Sequence, residues 1–498
     1  MKKFDAIIIG SGLGGLITAA ILAKEGQSVL VLEKGRKTGG FLHTFKRDDT
    51  VFNTGMNYVG SLEEGGFFYQ YLNYLGVFKQ LNIKQLDVDG FDEISFADSS
   101  EVFRYAQGKE NFIRQLLKSF PNEEKAIVDY TQGIWDVSDK FPLLHLKDAE
   151  KTTKGEDYLI GGAWEFISKM TSNTLLQNVL AANNSLYAGQ KGKTPLYVHA
   201  LVNRQFIQSA WRFVGGSQQL ARALSDKITE AGGEVKNRSE VVKIAIEDAE
   251  NTWVETLDGE RYFARRIISN IHPAQTLNML DDKRIKKVYR KRINDLENTY
   301  SFFNLYIVFK KHSFPYYNKN FYHFMEEDVW INAAQRPVNP AYYMFYTSAS
   351  RRQQEWADNA TVLTQMDYKE VEQWKDTKIG LRGREYEAFK QRKAEFLLNE
   401  LEQKFPGIRS KIQSYDTATP LTYEYYNGAP QGAAFGIQKD HRSIYKSIIL
   451  PKTKIPNLFL TGHHLNMHGA LGVTIGGVLT ASEILGQEYL IHKIRQTL

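Results

Sequence analysis

Gly10, Gly12 and Gly15 carry the first chemistry in the chain. They stand in Ala6-Ile7-Ile8-Ile9-Gly10-Ser11-Gly12-Leu13-Gly14-Gly15 and fit the pattern G-x-G-x-x-G. Phe4–Ile9 is a short apolar run and reads as a buried strand. Gly10 permits a tight turn, Gly12 lets a pyrophosphate approach the backbone, and Gly15 lets the next helix pack against the strand. Leu16–Lys24 reads as that helix, its positive N-terminal end toward the phosphates. Ser28–Leu32 is the next strand, and Glu33 closes it with a carboxylate that can accept ribose hydroxyls. The ordered context makes this a dinucleotide site. The candidate binding residues are Gly10, Ser11, Gly12, Leu13, Gly14, Gly15, Glu33, Lys34 and the pair Gly39-Gly40. That pair, and a second motif at the far end, Asn457-Leu458-Phe459-Leu460-Thr461-Gly462, favour FAD over NAD, because a nicotinamide enzyme needs neither. Lys2-Lys3 ahead of an apolar stretch has the look of a leader, but Asp5 and the glycines argue against one.

The elements that must position this site fall in separate parts of the chain. At 498 residues the chain exceeds one ordinary core, so two intertwined domains are expected. Gln218–Ala231 reads as a helix with Leu220, Ala223, Leu224 and Ile228 on one side, ended by Gly232-Gly233. Strands are expected at 240–245, 253–256, 262–264 and 266–270, with a turn at Asp258-Gly259. The final helix is expected over Val473–Leu485. This gives an α/β chain: a discontinuous Rossmann-type FAD-binding domain over 1–70, 206–285 and 415–498. The inserts 71–205 and 286–414 form an α+β substrate domain, rich in aromatics and in helical pattern. Aromatic clusters are usually core; in a substrate domain they also make an apolar pocket for a long lipid.

Composition excludes several chemistries. There is no cysteine, so disulfides, thiolate metal sites, cysteine nucleophiles and a cysteinyl-flavin bond are excluded. That suits a cytoplasmic setting. The net charge of +6 is modest for this length and does not indicate nucleic-acid binding. The dense run Lys283-Arg284-Ile285-Lys286-Lys287-Val288-Tyr289-Arg290-Lys291-Arg292 reads first as a solvated helix face. The alternative is peripheral contact with anionic headgroups on the inner face of a membrane. The sequence leaves the oligomeric state open. A single complete dinucleotide fingerprint leaves no dedicated NADPH domain. The external electron donor is then NAD(P)H visiting the same pocket, a redox protein or a quinone.

Almost end to end, the chain resembles the phytoene desaturase-like flavoproteins, and within them the bacterial relatives of retinol saturase and carotenoid isomerase. Phe213-Val214-Gly215-Gly216-Ser217-Gln218-Gln219-Leu220 is similar to the family's central Gly-Gly segment. Ile268-Ser269-Asn270-Ile271-His272-Pro273 is similar to its Ser-Asn-x-x-Pro step. Thr419 to Gly432 and Asn466 to Val473 resemble the saturase-type segments. The resemblance implies that Asn57, Val241, Gly462, His463, Gly472 and Val473 also bind the non-covalent FAD. It also implies a lipophilic polyene substrate, with one double bond reduced. Desaturation and reduced-flavin isomerisation share the fold and stay open, and a prenyl-lipid carrier is a further alternative. Saturation needs a hydride and a proton. Position by resemblance makes His464 and His468 the leading proton donors, with Tyr423 and Glu424 next. The three histidines could bind a metal, but their glycine-rich context reads as a loop, so no metal is expected. Three departures stand out: Asn53 where the family carries an acid, Asn57 where saturase-like members carry His, and His463-His464 in place of Gln and Asp or Asn.

Overall fold

The computed structural model describes residues 3–147, 161–248, 252–280, 284–331, 334–335, 339–350 and 355–498. Lys283 of the basic run lies outside the described residues.

The opening strand Lys3–Ile9 pairs in parallel with Val29–Leu32 on one side and Arg261–Ser269 on the other. Glu234–Lys236 extends the parallel set beyond Val29–Leu32. Arg261–Ser269 is one continuous strand where the sequence suggested two. Its first half pairs antiparallel with Thr252–Thr256, and its second half pairs in parallel with Leu458–Leu460. A strand that changes partner halfway leaves a local break in the hydrophobic pattern, which is why it read as two. Val241–Ile246 completes the sheet. Ala6–Ile9, Val29–Leu32 and Leu458–Leu460 are apolar and buried at every position because both faces of the sheet are covered there.

The opening helix begins at Leu13, not Leu16, and Leu13–Ala23 is buried throughout. A helix apolar on all sides is a core helix. It packs on the closing helix, which runs Gly469–Leu485 and starts four residues earlier than Val473.

The second sheet runs Ile412–Ala418, Ser301–Phe309, Asn359–Met366, Tyr342–Thr347, Asn320–Phe324, Asp92–Phe96 and Val102–Tyr105 in spatial order. Its outermost strand spans residue 415, where the sequence suggested a boundary. The segment 286–414 supplies four whole strands of this sheet together with the helices Lys287–Asn294 and Arg384–Lys404. Ser301–Phe309, Tyr342–Thr347 and Asn359–Met366 are buried at every position. Alternation still sorts their faces. Phe303, Leu305 and Ile307 pack with Leu397, Leu398 and Leu401 of the helix Arg384–Lys404. Phe302, Asn304 and Tyr306 point the other way, into a cavity.

A buried polar chain locks this sheet to a smaller one. Arg212, on Ala210–Phe213, donates to Thr347 O at 2.7 Å and to Asn320 Oδ1 at 2.5 Å. Asn320 Nδ2 donates to Asp92 Oδ1 at 2.7 Å, and Tyr58 O–H donates to Asp92 Oδ2 at 3.0 Å. Burial pushes the Asp92 carboxyl up to about 7, against the pull of the Asn320 and Tyr58 hydrogen bonds and of the Arg212 charge. Breaking such a bridged pair strands a buried charge. Arg212→Ala should therefore destabilise the fold by about 3 kcal/mol or more, read as a lower urea midpoint. A midpoint unchanged from wild type would refute that role.

Candidate functional site

A cavity of about 370 Å³ opens between the two sheets. Gly10, Ser11, Gly12, Leu13 and Gly14 line it at one end, with Glu33, Lys34, Gly39, Gly40 and Val241 nearby. Two helices begin against it. The opening helix has Gly12 as its N-cap and the closing helix has His468, and neither N-cap side chain caps its helix. Leu13, Gly14, Gly469, Ala470 and Val473 from their first turns line the wall. Two uncapped N-termini on one cavity present unsatisfied N–H groups and positive dipole ends to an anion.

The turn is held from behind. Gly10 has a φ of 91°, which needs glycine. Asn270, at the end of Arg261–Ser269, donates from Nδ2 to Gly10 O at 3.3 Å. A Cβ at Gly12 would lie 2.8 Å from Asn270 Nδ2, and one at Gly14 would lie 2.7 Å from Gly462 Cα. One at Gly15 would strike Gly10 O. Glycine at Gly12 therefore makes room for Asn270 in this structure, a constraint additional to the approach of a phosphate. Asn270 is the residue that sequence reasoning missed as part of the site. Its signal was the Ser269-Asn270 step itself, read as a family mark with no role attached.

Glu33 is 8% exposed. Its Oε2 accepts from Ser11 N at 3.0 Å and Ser11 Oγ at 2.5 Å, and its Oε1 accepts from Gly35 N at 2.7 Å. The carboxylate thus fixes the turn while lining the cavity. Asn57 also lines it and accepts from Tyr346 O–H at 2.7 Å. Asn53 also lines the cavity, and its Oδ1 accepts from Ser217 N and Oγ, tying the central glycine segment to the strand Thr50–Asn53.

The structure separates the four proton-donor candidates. Tyr423 and His464 line the cavity; His468 and Glu424 do not. Glu424 is engaged behind the wall, accepting from Tyr368 O–H at 2.9 Å and Gln431 N at 3.1 Å. His468 is buried, its ring against Phe435. Tyr423 accepts a hydrogen bond from Asn304 Nδ2, which leaves its own O–H free, and burial raises its pKa, so it stays protonated. His463 and His464 lie with ring centroids 3.9 Å apart, and His272 meets His464 edge-on at 4.7 Å. Burial first, and then neighbouring basic groups, hold these imidazoles neutral: His463 falls to about 4, His468 to about 3, and His464 well below its ordinary value. Of the remaining binding candidates, His463 lines the cavity, while Gly15, Gly462 and Gly472 pack behind it. Among the described residues no three acids or histidines converge as a metal cluster.

Residues 13–362 match the family described as flavin containing amine oxidoreductase. The chain belongs to this family. Within it, the chain is 27% identical to an all-trans-retinol 13,14-reductase of Danio rerio, covering 98% of this chain and 86% of that protein. It is 25% identical to a chloroplastic prolycopene isomerase of Arabidopsis thaliana, covering 99% of this chain and 84% of the other. Among solved structures, an oxidoreductase from Methanosarcina mazei superposes with a TM-score of 0.65 at 16% identity, covering 96% of this chain and 99% of that one. That last likeness speaks to the fold. For a flavoprotein of this family the residues present fit the cofactor. A glycine turn without covering side chains, two uncapped helix starts and a carboxylate share one cavity, and buried imidazole nitrogens without partners stand beside it.

Two outcomes are expected. Gly12 has φ −61° and ψ 168°, which any residue adopts, so Gly12→Val should fold. Its side chain would displace Asn270 and narrow the turn, so the purified variant should lose flavin absorbance while keeping its circular dichroism. A fully yellow variant would refute the placement. Neutral buried histidines also set an acid response. The unfolded chain binds protons from about pH 6.5 downward, whereas folded His463 resists until about 4. Flavin-free protein should therefore lose thermal stability as pH falls through that window, and His463→Gln should flatten the slope.

Proposed function

We propose that this protein is an FAD-dependent oxidoreductase that reduces a carbon–carbon double bond of a long apolar polyene, such as a retinoid or carotenoid-like isoprenoid. The observation that carries this reading is the continuity of the cavity. Its glycine end suits a dinucleotide, and the same cavity runs on to Phe206, Phe302, Met344, Leu363 and Phe435, a wall suited to a conjugated apolar chain. The retinol reductase and prolycopene isomerase likenesses support polyenes as the substrate class.

In this reading Gly10–Gly14 and the two helix starts bind the pyrophosphate, and Glu33 accepts from the ribose with its remaining lone pairs. Gly39-Gly40, Asn57, Val241, His463 and Val473 complete the contacts. Bound reduced flavin supplies hydride. NAD(P)H, reaching the same cavity, is the external reductant. Tyr423 is the proton donor, since it lines the cavity with its proton uncommitted. His464 shapes the wall and, being neutral, is a weaker choice of acid.

A second reading has a specific observation in its favour. A wall of neutral imidazoles offers no ready acid, and a reduced-flavin isomerase needs no net proton. Desaturation uses the same cavity in reverse.

One anaerobic experiment separates these. Reduced holoprotein is mixed with a polyene panel, and flavin absorbance and product mass are followed. Flavin reoxidation with a product two hydrogens heavier is expected. An isomer of unchanged mass, with the flavin still reduced, would replace the reading by isomerisation. A colourless protein that binds lipid would replace it by a carrier. Tyr423→Phe should keep flavin and lower single-turnover reduction by about 100-fold or more; an unchanged rate would remove Tyr423 as donor.

The cavity mouth gives the basic run a role in the same reading. Tyr426 lines the mouth at 56% exposure. Arg290 ties the basic helix Lys287–Asn294 to Leu280 O at 3.1 Å, next to cavity-lining Met279. Arg292 ties it to Lys446 O at 2.8 Å, beside exposed Tyr445. Val288 is 80% exposed. We propose peripheral contact with an anionic bilayer at this face; among the described residues no helix is long and apolar enough to cross one. Sedimentation with phosphatidylserine vesicles, lost in Lys287→Glu/Lys291→Glu, is the expected result, and equal sedimentation of that double variant would refute it.

A further inference from the structure

In the cavity wall and just behind it lies a group of basic side chains with no acid among them. His463 and His464 stand on the loop after Leu458–Leu460, His468 occupies the N-cap position of the closing helix without capping it, and Lys439 comes from the segment before the short helix Ile444–Ser447. His272 faces them from the start of the helix Pro273–Asn278. Lys439 is 1% exposed, and its ammonium donates to Ser447 O at 2.9 Å and to Leu465 O, both neutral carbonyls. His464 is 3% exposed and His468 5%. His464 Nδ1, His468 Nδ1 and His463 Nε2 have no hydrogen-bond partner. An unpartnered buried nitrogen is costly, so a set of three calls for a reason.

The carboxylates of neighbouring segments are engaged elsewhere. Asp440 binds Arg442 at 2.7 Å, Glu297 binds Lys193 at 2.9 Å, and Glu165 faces His441 at 3.7 Å. Glu424 takes Tyr368 and Gln431. His272 is committed as well: its Nδ1 accepts from Ala274 N at 3.2 Å and its Nε2 donates to Asn298 Oδ1 at 3.1 Å, which fixes the neutral form. That leaves His463, His464, His468 and Lys439 able to change charge.

We propose that this His463–His464–His468–Lys439 group takes up a proton from solvent when negative charge enters the cavity, so that binding of the anionic cofactor is coupled to protonation. The proposal rests on the cofactor reading above. Its physical basis is that an anion arriving beside buried bases stabilises their charged forms, and the unpartnered nitrogens are the acceptors waiting for it. Burial holds Lys439 down to about 7, so near neutral pH a small added field changes its charge. Mutual repulsion among the four groups limits the uptake to about one proton. The charge has two sources, the cofactor's diphosphate and its reduced ring, and both share this chemistry.

The test is calorimetric titration of flavin-free protein at about pH 8 in buffers of different ionisation heat, with ADP and with FAD, followed by dithionite reduction of the complex with a pH indicator. Uptake of about a half to one proton per protein is expected. Uptake with ADP assigns it to the diphosphate, and uptake on reduction in excess of that of free FAD reduced under the same conditions assigns it to the ring. His468→Asn and Lys439→Met should each bind FAD at unchanged stoichiometry and roughly halve the uptake. FAD binding with no proton uptake between about pH 6 and 9, and reduction of the complex with none beyond that of free FAD, overturns the proposal. Failure to bind FAD at all overturns the cofactor reading instead, so the two are distinguished.

Discussion

The opening helix and the closing helix touch at backbone distance, and the site depends on that contact. A Cβ at Gly477 of the closing helix would sit 2.8 Å from Ile17 Cγ2 and 3.2 Å from Gly14 O of the opening helix, and one at Gly14 would sit 2.7 Å from Gly462 Cα on the loop that leads to the closing helix. Thr18 Oγ1 bonds Gly14 O at 2.8 Å and reaches Gly477 O at 3.3 Å across the interface. Residues more than four hundred positions apart in sequence thus share one close-packed seam. Both helices must start beside the same cavity for their N-termini to converge. A side chain at either glycine would push the two starts apart and separate the dipole ends.

The second sheet converts that anchored end into a reaction chamber. Its central strands are buried on both faces, so neither face can be chosen by solvent. Register chooses instead: Phe302, Asn304 and Tyr306 face the cavity because Phe303, Leu305 and Ile307 face the helix Arg384–Lys404. A slip of one residue would exchange the two sets. The Arg212–Asn320–Asp92–Tyr58 chain opposes such a slip by pinning strands of two sheets through directional bonds. Its ion pair is bridged by an amide, which satisfies the buried charge without direct contact.

Electrostatics divide the cavity in two. The glycine end has positive helix ends and two lining acids, Glu240 and Glu33, the latter tied to Ser11 and Gly35. The wall near Tyr423 carries groups that burial keeps neutral, phenol and imidazole alike. A wall of this kind keeps water out and leaves few protons free to move. His463 and His464 stand where the sequence resemblance leads one to expect Gln and Asp or Asn, and with His272, His468 and Lys439 they concentrate basic groups at one place.

Much of the dinucleotide end was legible in the sequence. A strand, a glycine turn, a helix and a second strand ending in an acid are local features, set by hydrogen-bond geometry and steric size within Phe4–Glu33. The aromatic inserts announced an apolar chamber without saying which rings face it. What tertiary structure alone decided is long-range. It chose Tyr423 and His464 over Glu424 and His468, because helix phase and loop path, not residue type, determine which side chains reach a cavity. It gave Asn270 its place against Gly10, Gly12 and Gly14, contacts made across 260 positions. It also set protonation, since a histidine's charge depends on the depth and company of its ring, and neither is written in the neighbouring residues.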